Sequence, residues 1–257
     1  MPGGQRCRAR SWRTSPRTLE FNSRVARKID PNEIVDEFRD DLETVRNTFA
    51  VLIELTNEEP LLKELSIDTF VRAAVAFETF RSDWHIAAIN RDAAVFLKSL
   101  SKSIRSTVAG ARDYRGAADL VQVGIVKNPS VAVIRNIVDP LGRNVAFGDT
   151  NGWKKRADRE LAPRYTARVR ALTAGDLTII TAVIAIRNCI AHHSAGSVTE
   201  MNGALQRLPA GLRKPTNRVS VKGIGAYLWA APPGQTRART THFIRELRRI
   251  ASILKIS

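Results

Sequence analysis

The chain has 257 residues, of which 44% are hydrophobic and 26% charged, so it is long enough to bury a core without disulfide or metal cross-links. Its two cysteines, Cys7 and Cys189, predict no disulfide framework and favour a reducing cytoplasm. The longest apolar run, residues 177–186, is shorter than a membrane span, and the N-terminal segment lacks the apolar centre of a signal peptide. Composition therefore argues against membrane-spanning, disulfide-rich secreted and fibrous proteins, and we expect a cytoplasmic protein with no membrane partner.

Positive charge is in large excess, with 41 basic against 25 acidic residues and a net charge of +16. The excess is concentrated at the two ends: residues 1–28 hold eight basic residues and one acidic, and residues 207–257 hold eleven and one. Residues 30–68 are acidic, with three basic against twelve acidic residues. This balance favours a polyanionic partner such as nucleic acid, with solvated basic chain ends as the alternative.

The N-terminal half predicts a basic arm followed by two long helices. Residues 1–28, rich in Arg, Pro and Gly, indicate a disordered basic arm. Asp30 as a cap and Pro31 in the first turn predict a helix from residue 30 to about Pro60, with apolar residues three and four positions apart. A second helix is expected from about Ser66, continuing to about residue 108.

The C-terminal half predicts shorter helices and a basic last one. Glycine and proline interrupt residues 110–152, leaving short helices near 114–122 and 130–138, and residues 154–161 are expected to be helical. Thr173 and Asp176 form a capping-box pattern that opens a helix reaching about His192. A short helix is expected over 198–208, the type of segment 219–229 stays open, and a basic helix is expected over 241–255.

The absence of a strand-like alternation predicts an all-α fold, a helical bundle with additional short helices and a basic C-terminal helix. The expected organisation is a disordered arm, 1–28, and one helical domain, 29–257. Within that domain we expect a motif-bearing core over about 66–208 and a basic extension, 209–257, that lines the approach to the functional site.

Motifs for phosphate-binding loops, serine hydrolases and zinc proteases are missing from the sequence. Cys189, His192 and His193 are ligand-type residues, but four well-spaced ligands are not present. We therefore expect no metal and no cofactor.

The distinctive feature lies at the end of the helix that Thr173 opens. Its apolar stripe predicts buried residues near position 187, yet the sequence places Arg187 and Asn188 there. Asn188 and His192 are one turn apart and share a face. Polar groups on an apolar face need a partner or a functional role.

Residues 187–192 resemble the HEPN superfamily, whose ribonuclease members carry R-N-x-x-x-H near the end of a late helix. Residues 70–83, an apolar stretch containing Glu78, resemble the early helix of the RiboL-PSP-HEPN branch. The resemblance covers residues 66 to 200 and implies a HEPN-like helical bundle. It also implies a metal-independent endoribonuclease that forms 2′,3′-cyclic phosphates and acts as a homodimer. A toxin or phage-defence role with a cognate antitoxin protein follows from the resemblance alone.

The expected catalytic residues are Arg187, Asn188 and His192, with Glu78 and His193 as supporting residues. His192 would move the proton of the ribose 2′-OH, Arg187 would hold the phosphate, and Asn188 would orient the imidazole or bind a phosphate oxygen.

Structural explanations stand beside these roles. Arg187 and Glu78 would form a structural ion pair, Asn188 and His192 would satisfy a helix end, and His193 would be exposed linker. Glu78 and His85, with Ser82 between them, form a polar stripe that faces either the cleft or a buried hydrogen-bonded network. At the level of function, the alternative is a catalytically silent HEPN module that binds RNA or a partner protein.

Overall fold

The structure is a computed structural model that describes residues 28–111, 128–209, 212, 213, 221 and 223–256. These residues form α-helices and contain no strand, which confirms the all-α prediction. The predicted helix near 114–122 and most of the predicted arm, 1–28, lie outside the described residues. The helices are α1 (Pro31–Glu54), α2 (Glu59–Arg91), α3 (Ala94–Gly110), α4 (Val131–Val138), α5 (Thr150–Glu160), α6 (Pro163–Arg170), α7 (Ala174–His192), α8 (Ala195–Gln206), α9 (Ile224–Trp229) and α10 (Arg239–Ile253).

Helices α1 and α2 pack along each other and make the most extensive helix–helix contact among the described residues. The predicted start of α1 is confirmed, because the Asp30 side chain accepts a hydrogen bond from the backbone N–H of Asn32 at 2.9 Å and Pro31 occupies the first turn. The contact between the two helices is aromatic, with Phe38 stacked on Phe80 at a centroid distance of 4.3 Å.

The long second helix does not continue to residue 108 as predicted. Helix α2 ends at Arg91. The next residue, Asp92, has an extended backbone (φ −148°, ψ 92°), and α3 begins at Ala94. The buried side chain of Asn90 fixes this break, because it accepts a hydrogen bond from the N–H of Ile29 at 2.9 Å and donates one to the carbonyl of Pro129 at 3.1 Å. The helix therefore ends where a tertiary contact requires it, which helix propensity does not reveal.

Helix α7 crosses the core and opens as predicted. Thr173 and Asp176 form a complete capping box, and Ile180, Val183 and Ile186 are buried. Within the described part of the chain, α7 is the helix long and apolar enough to cross a membrane, a test that core helices of soluble proteins also pass. Helix α6, which comes just before α7, was not predicted.

The C-terminal helices belong to the same core as the rest of the molecule. Phe243 of α10 meets Phe70 of α2 edge to face at a centroid distance of 5.3 Å. Near the end of the described chain, Asn32 and Ile256 exchange two hydrogen bonds of 2.8 Å between the Asn32 side-chain amide and the Ile256 backbone.

Basic side chains of α10 and of the residues just after it form ion pairs within the molecule. Arg248 pairs with Glu43 of α1, Arg249 pairs with the buried Asp176 of α7, and Lys255 lies 2.7 Å from the carboxylate of Asp36. Three cations of the basic C-terminal segment therefore bind acidic side chains of α1 and α7.

A buried polar network lies beneath α2, centred on His85. The imidazole Nε2 is 2.9 Å from Glu160 Oε2, and Glu160 also accepts hydrogen bonds from Arg156 at 2.8 Å and Arg159 at 2.6 Å. Burial raises the pKa of Glu160, but the hydrogen bonds from His85 and the two arginines outweigh it and lower the pKa to about 2. Burial also lowers the pKa of His85, so the neutral ring donates from Nε2 to an ionised carboxylate.

The sequence left open whether the polar stripe of α2 faces the cleft or a buried hydrogen-bonded network, and its three residues do not all lie in the same environment. His85 belongs to the buried network, and Ser82 accepts a hydrogen bond from the N–H of Val145 at 3.0 Å, also in the core. Glu78 faces α7 instead.

Stability should fall as the pH is lowered from 7 to 5. The unfolded chain takes up a proton on His85 near the ordinary pKa of 6.5, whereas in the folded protein burial lowers that pKa. Protons then favour the unfolded state, at up to about 1.4 kcal/mol per pH unit for one group. His242, whose pKa burial also lowers, adds to the slope. Chemical denaturation at several pH values measures the effect.

His85→Gln should flatten this dependence, leaving the part due to His242. Ser82→Ala is the matched control, since it removes a buried hydrogen bond one turn away but no titrating group. It should lose stability while keeping the wild-type slope. Equal slopes in His85→Gln and the wild type would contradict the assignment.

Candidate active site at the end of helix α7

The predicted motif occupies the last turn and a half of α7. The helix ends at His192, and His193 follows as its C-cap in the left-handed conformation (φ 47°), donating its N–H to the carbonyl of Cys189 at 3.0 Å. Both histidine side chains are exposed, as the linker interpretation of His193 requires. The left-handed cap turns the chain into α8.

Arg187 and Asn188 are half-buried, and Arg187 pairs with Glu78 of α2. Arg187 Nη2 lies 3.1 Å from Glu78 Oε2, and Arg187 Nη1 donates to Asn188 Oδ1 at 2.9 Å. The side chains of Arg187 and Glu78 are 31% and 20% exposed, so the pair opens to solvent. The ion pair between residues 187 and 78, which the sequence offered as the structural alternative, is therefore present, and the Arg187 side chain stays partly exposed.

A second guanidinium, missed by the sequence prediction, lies on α2 one turn beyond Glu78. Arg81 is 6% exposed and sits over the rings of Phe147 and Trp153 at 5.0 and 5.2 Å. Its Nε and Nη1 have no hydrogen-bond partner. Burial lowers the pKa of Arg81 to about 10, against the opposing effect of Glu78, so the group is charged at neutral pH.

The carboxylate of Glu78 is therefore flanked on its own helix by Arg81 and across the helix contact by Arg187. Two cations and one anion leave the cluster with a net positive charge, and an Arg carrying unused donors in a low-dielectric setting favours an additional anion. The sequence clue was an Arg within the apolar stretch 70–83, at the spacing of the buried face shared by Phe77 and Trp84.

His192 lies apart from this cluster. It is one turn after Asn188 on the same face, about 6 Å further along the helix axis. Its ring makes no hydrogen bond within the described part of the chain. The structure thus brings Arg187, Asn188 and Glu78 together, and leaves His192 exposed beside them with an imidazole open to a ligand.

A cavity of about 360 Å³ lies at the opposite end of α7, lined by residues that include Thr173, Asp176, His242 and Arg249. Asp176 already serves the capping box and the ion pair with Arg249. The cavity is separate from the predicted motif.

Within the described residues, no three His, Cys, Asp or Glu side chains lie close enough together to hold a metal ion. Comparisons with protein-family models, with curated proteins and with solved structures find no match for this chain.

Glu78→Gln should increase the affinity of the cluster for inorganic phosphate several-fold. Removing the carboxylate releases Arg187 and leaves two uncompensated guanidinium groups. The cost in stability should be small, about 0–1 kcal/mol, because the pair is partly exposed. Isothermal titration with phosphate at low ionic strength measures the change.

Asp83→Asn is the matched control, since it removes a carboxylate of the same helix that pairs with Arg135 at 2.7 Å and leaves the Arg187 pair intact. An equal gain in both variants would mean that net charge alone governs phosphate binding, and the cluster would not be the site.

Proposed function

We propose that the protein is a metal-independent endoribonuclease of HEPN type. The observation that carries the proposal is the exposed His192 one turn from a half-buried Arg187–Asn188 pair at the end of α7. A proton-transfer group and a phosphate-binding group at the same helix end are the minimum that 2′-OH attack requires. The resemblance of residues 187–192 to the R-N-x-x-x-H motif supports the same function.

In the proposed reaction, His192 accepts the proton of the ribose 2′-OH as the 2′-oxygen attacks phosphorus. The bond to the 5′-oxygen breaks, and that oxygen leaves with a proton as a 5′-OH. The products are a 2′,3′-cyclic phosphate and a 5′-hydroxyl end. Arg187 donates to the non-bridging oxygens, where negative charge increases in the transition state.

Asn188 and Glu78 position Arg187 in this mechanism. The Asn188 carbonyl oxygen accepts from one end of the guanidinium and Glu78 pairs with the other, which fixes the plane of the group. A bound phosphate competes with Glu78 for Arg187, and the nearby Arg81 offers Glu78 a second cation.

The leaving 5′-oxygen needs a proton donor, and one chain presents a single His192. A symmetric homodimer in which two copies of the 187–192 segment face each other would supply it from the partner's His192. RNA is the proposed substrate, the cytoplasm is the proposed location, and a toxin or phage-defence role with an antitoxin partner rests on the HEPN resemblance.

The second candidate is a catalytically silent HEPN module that binds RNA or a partner protein. The observation in its favour is the ion pair between Arg187 and Glu78, which occupies the proposed phosphate donor. The two candidates differ in whether product forms.

Arg187→Ala and His192→Ala should each lower RNA cleavage at least about 100-fold while leaving helical circular dichroism and the melting temperature almost unchanged. His193→Asn is the matched control, because asparagine tolerates the left-handed cap and the side chain is exposed; it should keep most of the activity. Cleavage should survive EDTA. Full activity in either alanine variant, or loss on chelation with recovery in magnesium, would refute the proposed mechanism.

The composite site can be tested by mixing chains. Wild-type protein is combined with an excess of the doubly substituted chain, Arg187→Ala with His192→Ala, under conditions that allow subunit exchange. Activity per wild-type chain should fall, because mixed dimers hold one motif instead of two. Activity proportional to the wild-type chains, or a monomer by light scattering, would exclude a shared site.

A further inference from the structure

Helices α3, α5 and α6 carry a large excess of basic over acidic residues. These helices contain ten basic and two acidic residues. The two acids are already engaged, since Asp158 pairs with Arg170 and Glu160 is buried in the His85 network. Helix α3 has no acidic residue at all.

Three cations form one stripe along the exposed side of α3. Lys98, Lys102 and Arg105 are spaced four and three residues apart, which places them on one face, and all three are exposed. They form no ion pair within the described residues. The stripe is about 10 Å long, against a rise of about 3.4 Å per nucleotide along a stacked strand, so it spans about three phosphates.

Exposed hydroxyl groups on α3 and a further cation on α5 lie near the stripe. Ser103 and Ser106 are exposed beside the stripe and offer hydroxyl donors of the kind that contact phosphate and sugar oxygens. Helix α5 packs against α3 and carries the exposed Lys155, also without an ion-pair partner among the described residues.

We propose that this basic surface, formed by Lys98, Lys102, Arg105 and Lys155, binds the phosphodiester backbone of the RNA that is cleaved at α7. The inference rests on the proposed function and names where the substrate is held outside the cleavage site. It moves the expected RNA contact away from the C-terminal helix, where Arg248, Arg249 and Lys255 are paired with acids.

An anionic membrane is a poorer partner for the same charges. Binding at a lipid surface needs large apolar side chains next to the basic ones. The exposed large apolar residues of the described chain lie elsewhere, on α1, α2, α4 and α8 and in the segments that follow α1 and α4. Exposed hydroxyl groups surround the α3 cations instead.

The experiment measures binding of a fluorescein-labelled 30-nucleotide single-stranded RNA by anisotropy at several salt concentrations, in the His192→Ala background so that the probe stays intact. The surface variant replaces Lys98, Lys102 and Arg105 by Gln. The charge-matched control replaces the exposed Arg207, Arg237 and Arg245 by Gln. The surface variant should lose about tenfold in affinity at low salt, and its log–log salt slope should become shallower by about 2, at about 0.7 per lost phosphate contact. The control should change affinity less than twofold.

Equal weakening in the two triple variants, or no weakening in the surface variant, would overturn the proposal. So would displacement of the probe by poly-glutamate as readily as by unlabelled RNA, which would indicate a partner protein with acidic segments. Failure of the proposed function has a different signature. With His192 restored, the surface variant should cleave a trinucleotide at the wild-type rate and long RNA with a raised KM, whereas a chain that is no nuclease cleaves neither.

Discussion

Helix α2 runs through the centre of the molecule, and from Phe80 to Asn90 every residue except Asp83 is buried. An unpaired buried polar group costs about 1–3 kcal/mol, and three polar side chains of this segment have hydrogen-bond partners in other parts of the chain, whereas Nε and Nη1 of Arg81 have none. Ser82 receives the N–H of Val145, His85 reaches Glu160, and Asn90 joins the start of α1 to the segment before α4. The polar residues of one helix thus determine where several other parts of the chain lie.

The proposed site lies at the edge of this buried segment. Of the polar stripe on α2, Glu78 is the residue that still reaches solvent. One turn further along the helix, Arg81 is buried against the rings of Phe147 and Trp153. The rings over Arg81 compensate part of its lost hydration but accept no strong hydrogen bond. Negative charge near Glu78 is therefore favoured by the guanidinium groups of Arg81 and Arg187.

Elements set by local signals were predictable. The cap and proline of α1 and the capping box of α7 act within four residues, so a single sequence contains them. The break after Arg91 was not predictable, because the contacts of Asn90 with Ile29 and Pro129 join positions far apart in sequence. Helix α6 was missed because three of its eight residues are arginines and only two of its buried residues, Tyr165 and Val169, are apolar, which leaves no clear apolar stripe.

The candidate site shows the same division. The pairing of residues 187 and 78 was among the sequence expectations, since both segments carried a polar group on an apolar face. Arg81 was not, because a positively charged residue in an apolar stretch is ordinarily assigned to the surface. The charge of the C-terminal segment was visible in the composition, but the pairing of three of its cations with acids of α1 and α7 depends on how α10 packs.

The paired hydrogen bonds between Asn32 and Ile256 have a consequence for biosynthesis. They join residues 224 positions apart, and the ion pair between Arg248 of α10 and Glu43 of α1 spans 205 positions. A ribosome makes about 5–20 residues per second and delivers the N-terminal helices first. Phe70, Glu43 and Asp176 must therefore wait many seconds for Phe243, Arg248 and Arg249. A nascent chain that already contains α7 still lacks its closing helix, so the nuclease proposed here would mature only after translation has passed residue 253.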